Sequence, residues 1–345
     1  MTVSLPHLTD VRPNVPVERL LADLVPPRHF AAASFGSYRA DPVHPSQQAT
    51  VDRLVEVAAG LSASSTGWLK RLVGARSGSQ VAIYLDGGFG VGKTHLLASL
   101  AHAVGTEASA YGTFVEYTNL VGALGFAKTV EALSTKRLVC IDEFELDDPG
   151  DTVLMSRLLR ELADRGISLA ATSNTLPDSL GEGRFAADDF LREIQAMSAR
   201  FEVLRVDGED YRHRTLVAGA SSVSDSAVAD AVRGRPGALI DDFDELLSHL
   251  SHVHPSRYGA LLDTVTLLGL TGVHPVSDQS AALRLVVLVD RLYDRDVPVL
   301  LGGSGEADLF SDEMRAGGYR KKYYRALSRL GSLAADGREL VEQAV

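Results

Sequence analysis

A chain of 345 residues is long enough for two domains and leaves room for a third. Hydrophobic residues make up 45% and charged residues 23%, which provides ample material for a core, and no run approaches the ~20 apolar residues of a membrane span. The net charge of −11, from 34 basic and 45 acidic residues, argues against free DNA or an acidic membrane surface as partner, although it leaves a local basic groove open.

In chain order, residues 1–27 read as an N-terminal segment. It holds a short helix within Val15–Leu24 and ends at Pro26-Pro27. Its first residues lack a basic stretch followed by an apolar core, so no signal peptide is expected and the cytoplasm is the expected compartment. A helix runs from Pro45 to about Leu61 with Ser46 as its N-cap. Ser62–Ser79 is polar and Ser/Gly-rich apart from Trp68–Leu72, the composition of a surface connection. From Val81 strands and helices alternate: strand 81–86, helix 93–104, strand 112–117, helix 118–128, strand 137–142, helix 149–165, strand 167–172, helix 187–199 and strand 201–206. This alternation predicts a parallel sheet covered by helices on both faces, with the core spanning 28–215. Ser221–Ala231 reads as a linker, and 216–345 as a C-terminal α/β extension. The extension has strands at Thr264–Leu270 and Val297–Leu301, a helix from Ser280 to Tyr293, and a helical region from Tyr319. Pro298 suits a strand edge. The single cysteine, Cys140, cannot form an intramolecular disulfide and reads as inert packing.

The chemistry concentrates at two strand ends. Gly87-Gly88-Phe89-Gly90-Val91-Gly92-Lys93-Thr94 follows the apolar run Val81–Leu85 and opens a helical pattern at His95. Strand, glycine loop and helix together make a phosphate-binding P-loop. The glycines allow backbone N–H groups to curl around phosphate oxygens, and the helix N-terminus adds partial positive charge. Lys93 is expected to reach the β- and γ-phosphates, and the Thr94 hydroxyl to hold Mg²⁺; His95 completes the nucleotide-contacting set. The run Arg137–Phe144 ends in Asp142-Glu143. A buried parallel strand reads as a continuous apolar run, and ligands gather at the carboxyl ends of such strands. Asp142 is expected to hold Mg²⁺ and Glu143 to polarise the attacking water. The two motifs together predict a P-loop NTPase that hydrolyses ATP. A P-loop phosphotransferase with a small acceptor and a nucleotide-gated scaffold are the alternatives. No Asn-Lys-x-Asp element is present, so guanine specificity has no support.

Weaker constellations surround these. His249, His252 and His254 cluster without zinc-like spacing or nearby cysteines. Lys321-Lys322 lies among Tyr319, Tyr323 and Tyr324, which reads as a solvated amphipathic helix, and no nucleic acid is expected as a partner.

Five signatures stand in order along the chain: Asp142-Glu143-Phe144-Glu145, Ala171–Leu180, Asp210-Tyr211-Arg212, Arg284–Asp294 and Ser328-Arg329-Leu330. The set resembles the ZapE-type ATPases, AAA+ relatives of bacteria and mitochondria, from about residue 28 to residue 330. The resemblance implies an AAA+-like fold and an ATP- and Mg²⁺-dependent, nucleotide-dependent homo-oligomer. It also implies action on a protein partner; bacterial members destabilise polymers of the division-ring protein FtsZ. In such enzymes Asn174, after the strand beside Asp142, orients the attacking water. The resemblance places an arginine finger for a neighbouring subunit at Arg200, with Arg184 as runner-up and Arg329 third. It places adenine recognition near Tyr38 and Gln47. Two stretches depart from the family: the Arg in Gly183–Arg192 is displaced among acids, and Gly112–Ala127 lacks the family's His- and Phe-rich character.

Overall fold

The short apolar runs beginning at Val81 assemble into a five-stranded parallel sheet in the computed structural model. The structure describes residues 5–13, 15–63, 80–88, 90–144, 149–173, 199–208, 222–304 and 309–342. The chain divides into two compact units, residues 16–214 and residues 1–15 with 215–345, so the N-terminal segment 1–27 is shared between them. Among the described residues no helix is long and apolar enough to cross a membrane.

The unit formed by residues 16–214 contains α1 (Val17–Ala22), α2 (Pro45–Ala63), β1 (Ala82–Asp86), α3 (Lys93–Val104), β2 (Ser109–Thr113), α4 (Phe114–Leu124), α5 (Phe126–Leu133), β3 (Leu138–Asp142), α6 (Pro149–Asp164), β4 (Ser168–Ser173) and β5 (Glu202–Arg205). The strand order is β2-β3-β4-β1-β5 and every pairing is parallel. Side chains alternate across the sheet with period two. Leu138 and Cys140 of β3 therefore pack with α2 and α3, through Leu54, Leu97 and Leu100. Val139 and Ile141 pack on the other face with Tyr117 of α4, Val130 of α5 and Leu158 of α6. Burial on both faces explains why β3 is apolar at every position before Asp142. Burial pushes the Cys140 thiol well above its ordinary pKa, with the Asp142 charge adding to the shift.

Two expectations around β2 are corrected. The strand expected at 112–117 ends at Thr113, and a helix begins at Phe114. Thr113 is a capping-box residue: its hydroxyl accepts from the Glu116 N–H, and the Glu116 carboxylate accepts from the Thr113 N–H at 2.7 Å. The helix expected at 118–128 is two helices, split at Gly125, which has φ of 80°. Ser46 is not the cap of α2 either. The helix already starts at Pro45, whose fixed φ suits a first helical position, and the Ser46 hydroxyl accepts from the Asp207 N–H at 3.1 Å. Most of the helix expected at 187–199 lies outside the described residues; residues 199–200 form a turn.

The second unit contains α7 (Asp225–Val232), β6 (Ala238–Asp242), α8 (Phe243–His252), α9 (Tyr258–Leu261), β7 (Leu267–Thr271), α10 (Gln279–Asp294), β8 (Val299–Leu301), α11 (Asp312–Ala316) and α12 (Arg320–Glu342). Its three strands are parallel in the order β6-β7-β8. The stretch read as a linker at 221–231 is mostly helix, because Ser224 caps α7 through the Ala227 N–H and Val228 and Val232 supply a buried face. Strand β6 is an addition to the expected elements. Its apolar run is only Ala238-Leu239-Ile240 before two acids, and both acids have structural work. Asp242 caps α8, while the fully buried Asp241 accepts from Leu8 N–H, Thr9 N–H and the Thr9 hydroxyl. Pro298 stands just before the edge strand β8, where its missing N–H leaves no ladder bond unmade.

α10 and α12 are joined by a shielded charge cluster. Asp290 accepts from Arg325 at 2.7 Å and from Arg329 at 2.5 Å, and the Arg329 guanidinium lies 4.9 Å from the Tyr293 ring centre. The Asp290, Arg325 and Arg329 side chains are only 15%, 6% and 15% exposed, so Arg329 is consumed in packing this unit. Burial pushes the Asp290 carboxyl up, but the two guanidiniums more than offset it and hold the carboxyl below its ordinary range. A depressed carboxylate contributes stability above its unfolded pKa of about 3.9 and loses that contribution as pH falls through the folded value. Asp290→Asn is therefore expected to destabilise the protein by about 3–5 kcal/mol near pH 7, since it strands two cations. In urea denaturation the gap between parent and variant should narrow below about pH 4.

Candidate active site

The P-loop forms where β1 gives way to α3. Gly92 is the N-cap of α3 with φ of 88°, and a Cβ there would sit 2.7 Å from the Tyr38 ring. Both the backbone and the packing therefore require glycine. Gly87 is held as tightly: a Cβ would come within 2.3 Å of the Val206 carbonyl, at the end of β5. The Tyr38 hydroxyl donates to the Val91 carbonyl at 2.9 Å, and burial pushes its pKa up to about 12, so it stays a neutral donor. Lys93 is buried, and its ammonium donates to the Gly87 and Gly88 carbonyls at 2.7 and 2.6 Å. Gly90 and Val91 complete the described turn, while Phe89 lies outside the described residues.

His95, expected among the nucleotide contacts, packs against residues 30–37, upstream of α2. Its Nε2 lies 3.0 Å from the Ser37 hydroxyl and 3.1 Å from the Ser34 carbonyl, and its ring meets Phe30 edge-on. Gln47, considered for adenine, uses both ends of its amide in the protein. Its oxygen accepts from the Asp41 N–H at 2.8 Å and its nitrogen donates to the Asp207 carbonyl at 2.7 Å.

At the end of β3 the acids meet the P-loop. Asp142 is buried, and its Oδ1 accepts from the Thr94 hydroxyl at 3.3 Å, the Thr172 hydroxyl at 2.5 Å and the Glu143 N–H at 3.1 Å. Its Oδ2 accepts from the Tyr111 hydroxyl at 2.8 Å. Tyr111 and Thr172 are additions to the residues expected at the site. Their side-chain parity is visible in the chain, but the strand register that brings them to Asp142 is not.

Glu143 has φ of 53°, the left-handed region that a side-chain-bearing residue rarely adopts. Such a residue costs roughly 1–3 kcal/mol and persists where its surroundings over-determine it. Here the Glu143 N–H also donates to the Thr172 hydroxyl at 3.0 Å, and the Phe144 N–H donates to the Thr172 carbonyl at 2.7 Å. The Phe144 ring is buried edge-on against Tyr84 and Phe114. Fixed on both sides, Glu143 is turned out of the strand at the carboxyl edge, beside the P-loop end of the sheet.

The strand order explains the meeting. β4 lies between β1 and β3, so Lys93-Thr94 and Asp142-Glu143 face one edge across one intervening strand. Thr94 and Asp142 offer a hydroxyl and a carboxylate, the hard oxygen donors that suit Mg²⁺, which in such sites neutralises phosphate charge. Asn174, next in the chain after β4, lies outside the described residues, as does Arg184. Arg200 precedes β5 and pairs with Asp164 at 3.1 Å, both side chains being substantially exposed.

A parallel sheet with a P-loop after its first strand and paired acids after its third defines a P-loop ATPase of AAA+-like fold. The model of the AFG1-like ATPase family matches residues 14–235 and 229–339, and the chain belongs to that family. It is 27% identical over 300 residues to the cell division protein ZapE of Escherichia coli (strain K12), covering 74% of this chain and 78% of that protein. Among solved structures, domain III of the Thermotoga maritima replication initiation protein DnaA overlays with a TM-score of 0.40 at 18% identity, covering 59% of this chain and 74% of that one. AMPPCP-bound DnaA from Aquifex aeolicus gives a TM-score of 0.39 at 11% identity, covering 51% of this chain and 50% of that one.

The chemistry of the lysine and the second acid is separable. Lys93→Ala is expected to abolish ATP binding in a fluorescent-nucleotide titration, because the phosphates lose their cation. Glu143→Gln should bind ATP normally and turn over about 10²- to 10⁴-fold more slowly, because an amide cannot take a proton from water. Parental turnover in Glu143→Gln would show that another group is the base.

Proposed function

We propose that the chain couples Mg²⁺-dependent ATP hydrolysis to remodelling a protein partner, and that the partner is the FtsZ polymer of the division ring. The observation that carries the hydrolytic part is Glu143, held in left-handed backbone beside Asp142 and Thr172 at the P-loop edge. A carboxylate there activates water, and Asn174, next along the chain from β4, orients it. Similarity to a protein named for cell division supports the choice of partner. In a sedimentation assay, parent protein with ATP should move FtsZ from pellet to supernatant, whereas Glu143→Gln with ATP should not. An unchanged pellet with active parent protein would remove FtsZ as the partner.

The site is completed by a neighbouring subunit in a nucleotide-dependent homo-oligomer, with Arg200 as the finger. Glu202 pairs in register with Ile83, whereas the P-loop follows Asp86. At about 3.3 Å per residue, Glu202 therefore stands about 10 Å along the strands before Asp86, and Arg200 sits in the turn at that end of the sheet, away from its own P-loop. That separation supports delivery in trans. Its exposed pairing with Asp164 is worth about 1 kcal/mol or less, so the guanidinium is readily redirected to phosphate. A finger arginine contributes roughly 10³- to 10⁵-fold in rate. Arg200→Ala and Lys93→Ala should each be nearly inactive alone and recover hydrolysis when mixed, because each supplies what the other lacks. Full activity of Arg200→Ala by itself would exclude this residue as the finger.

A further inference from the structure

We propose that Tyr111 is a positioning residue for the metal-binding carboxylate: its phenol reaches from β2 to fix the rotation of Asp142, while Thr172 holds the same side chain from β4. This rests on the reading of Asp142 as the Mg²⁺-holding acid and adds the groups that aim it.

Strand register makes the arrangement possible. Tyr111 pairs with Cys140 and Thr113 with Asp142, so Tyr111 stands two residues back on the face that carries the Asp142 side chain. Its buried ring packs with Leu138, Cys140 and the α2–α3 core, and only the hydroxyl end reaches the acid. From the other side, Ala171 pairs with Ile141, which brings Thr172 level with Asp142. A carboxylate rotates about a broad torsion with no sharp well of its own. Here Oδ2 is fixed by Tyr111 at 2.8 Å, so Oδ1 is left facing Thr94 and Thr172. Hydroxyl donors to a carboxylate are charge-assisted and strong, and Asp142 is too buried for water to replace them freely. The Thr172 hydroxyl has a second partner, accepting from the Glu143 N–H, and so links the aim of the metal ligand to the placement of the catalytic carboxylate.

Tyr111→Phe removes one oxygen and leaves the ring packing in place. Binding of a fluorescent ATP analogue to the full chain, measured across a Mg²⁺ titration and again in EDTA, reads the metal-dependent part without turnover. Loss of a group that orients a metal ligand typically costs about 10- to 100-fold in metal affinity. The Mg²⁺ midpoint should rise by about that factor in Tyr111→Phe and in Thr172→Val, with affinity in EDTA unchanged. Thr172→Ser, which keeps the hydroxyl, should recover the parental midpoint. A parental midpoint in folded Tyr111→Phe would overturn the role of Tyr111, even if its melting temperature falls, since a purely structural hydroxyl does only that. Should Tyr111→Phe fail to fold, a parental midpoint in Thr172→Val overturns the proposal instead. A parent chain whose nucleotide affinity ignores Mg²⁺ would sink the metal reading itself, and this role with it.

Discussion

The parallel register of β3 with β2 and β4 is the constraint on which the site depends. It brings Thr113, Asp142 and Thr172 to one level and points Asp142 and Thr172 toward the face covered by α3. Because α3 begins at the P-loop, one helix carries both the P-loop lysine and the threonine that meets Asp142. Slipping β3 by one residue would send Asp142 into the apolar layer of α4–α6 and set Ile141 on the α3 face in its place. β3 is apolar on both faces, so the acid at its end, rather than any alternation, ties its register to the chemistry.

Strain at Glu143 follows from the same geometry. The strand must end abruptly to present a carboxylate at its edge, and Phe144 must return at once to the core beside Tyr84 and Phe114. Burial of that ring and the hydrogen bonds to Thr172 offset the left-handed turn. Stability elsewhere in the sheet is thus tied to one unfavourable backbone conformation beside Asp142.

The phosphate and acid motifs are legible in the chain because their chemistry is local: glycines before a helix, and an apolar run that ends in two acids. The alternation of strands and helices is enough to indicate the α/β class. What escapes depends on contacts distant in sequence. Tyr111 lies 31 residues from Asp142, and nothing in the intervening chain announces their hydrogen bond. Ser46 resembles a helix cap because its real partner, Asp207, lies 161 residues away. The boundary at Thr113 is a different kind of miss, since Thr113-Phe114-Val115-Glu116 is a capping box readable in the sequence. The family-specific stretches Arg284–Asp294 and Ser328–Leu330 prove to be partly structural, because Asp290, Tyr293 and Arg329 form one shielded cluster.

In the function proposed above, this edge of the sheet activates water as the acceptor of the γ-phosphoryl group. Isotope transfer tests it most directly. Parent protein supplied with ATP in ¹⁸O-labelled water, without any other acceptor, should release phosphate carrying solvent oxygen. Release that requires an added acceptor, with the label absent from the transferred group, would contradict the account and mark the chain as a phosphotransferase.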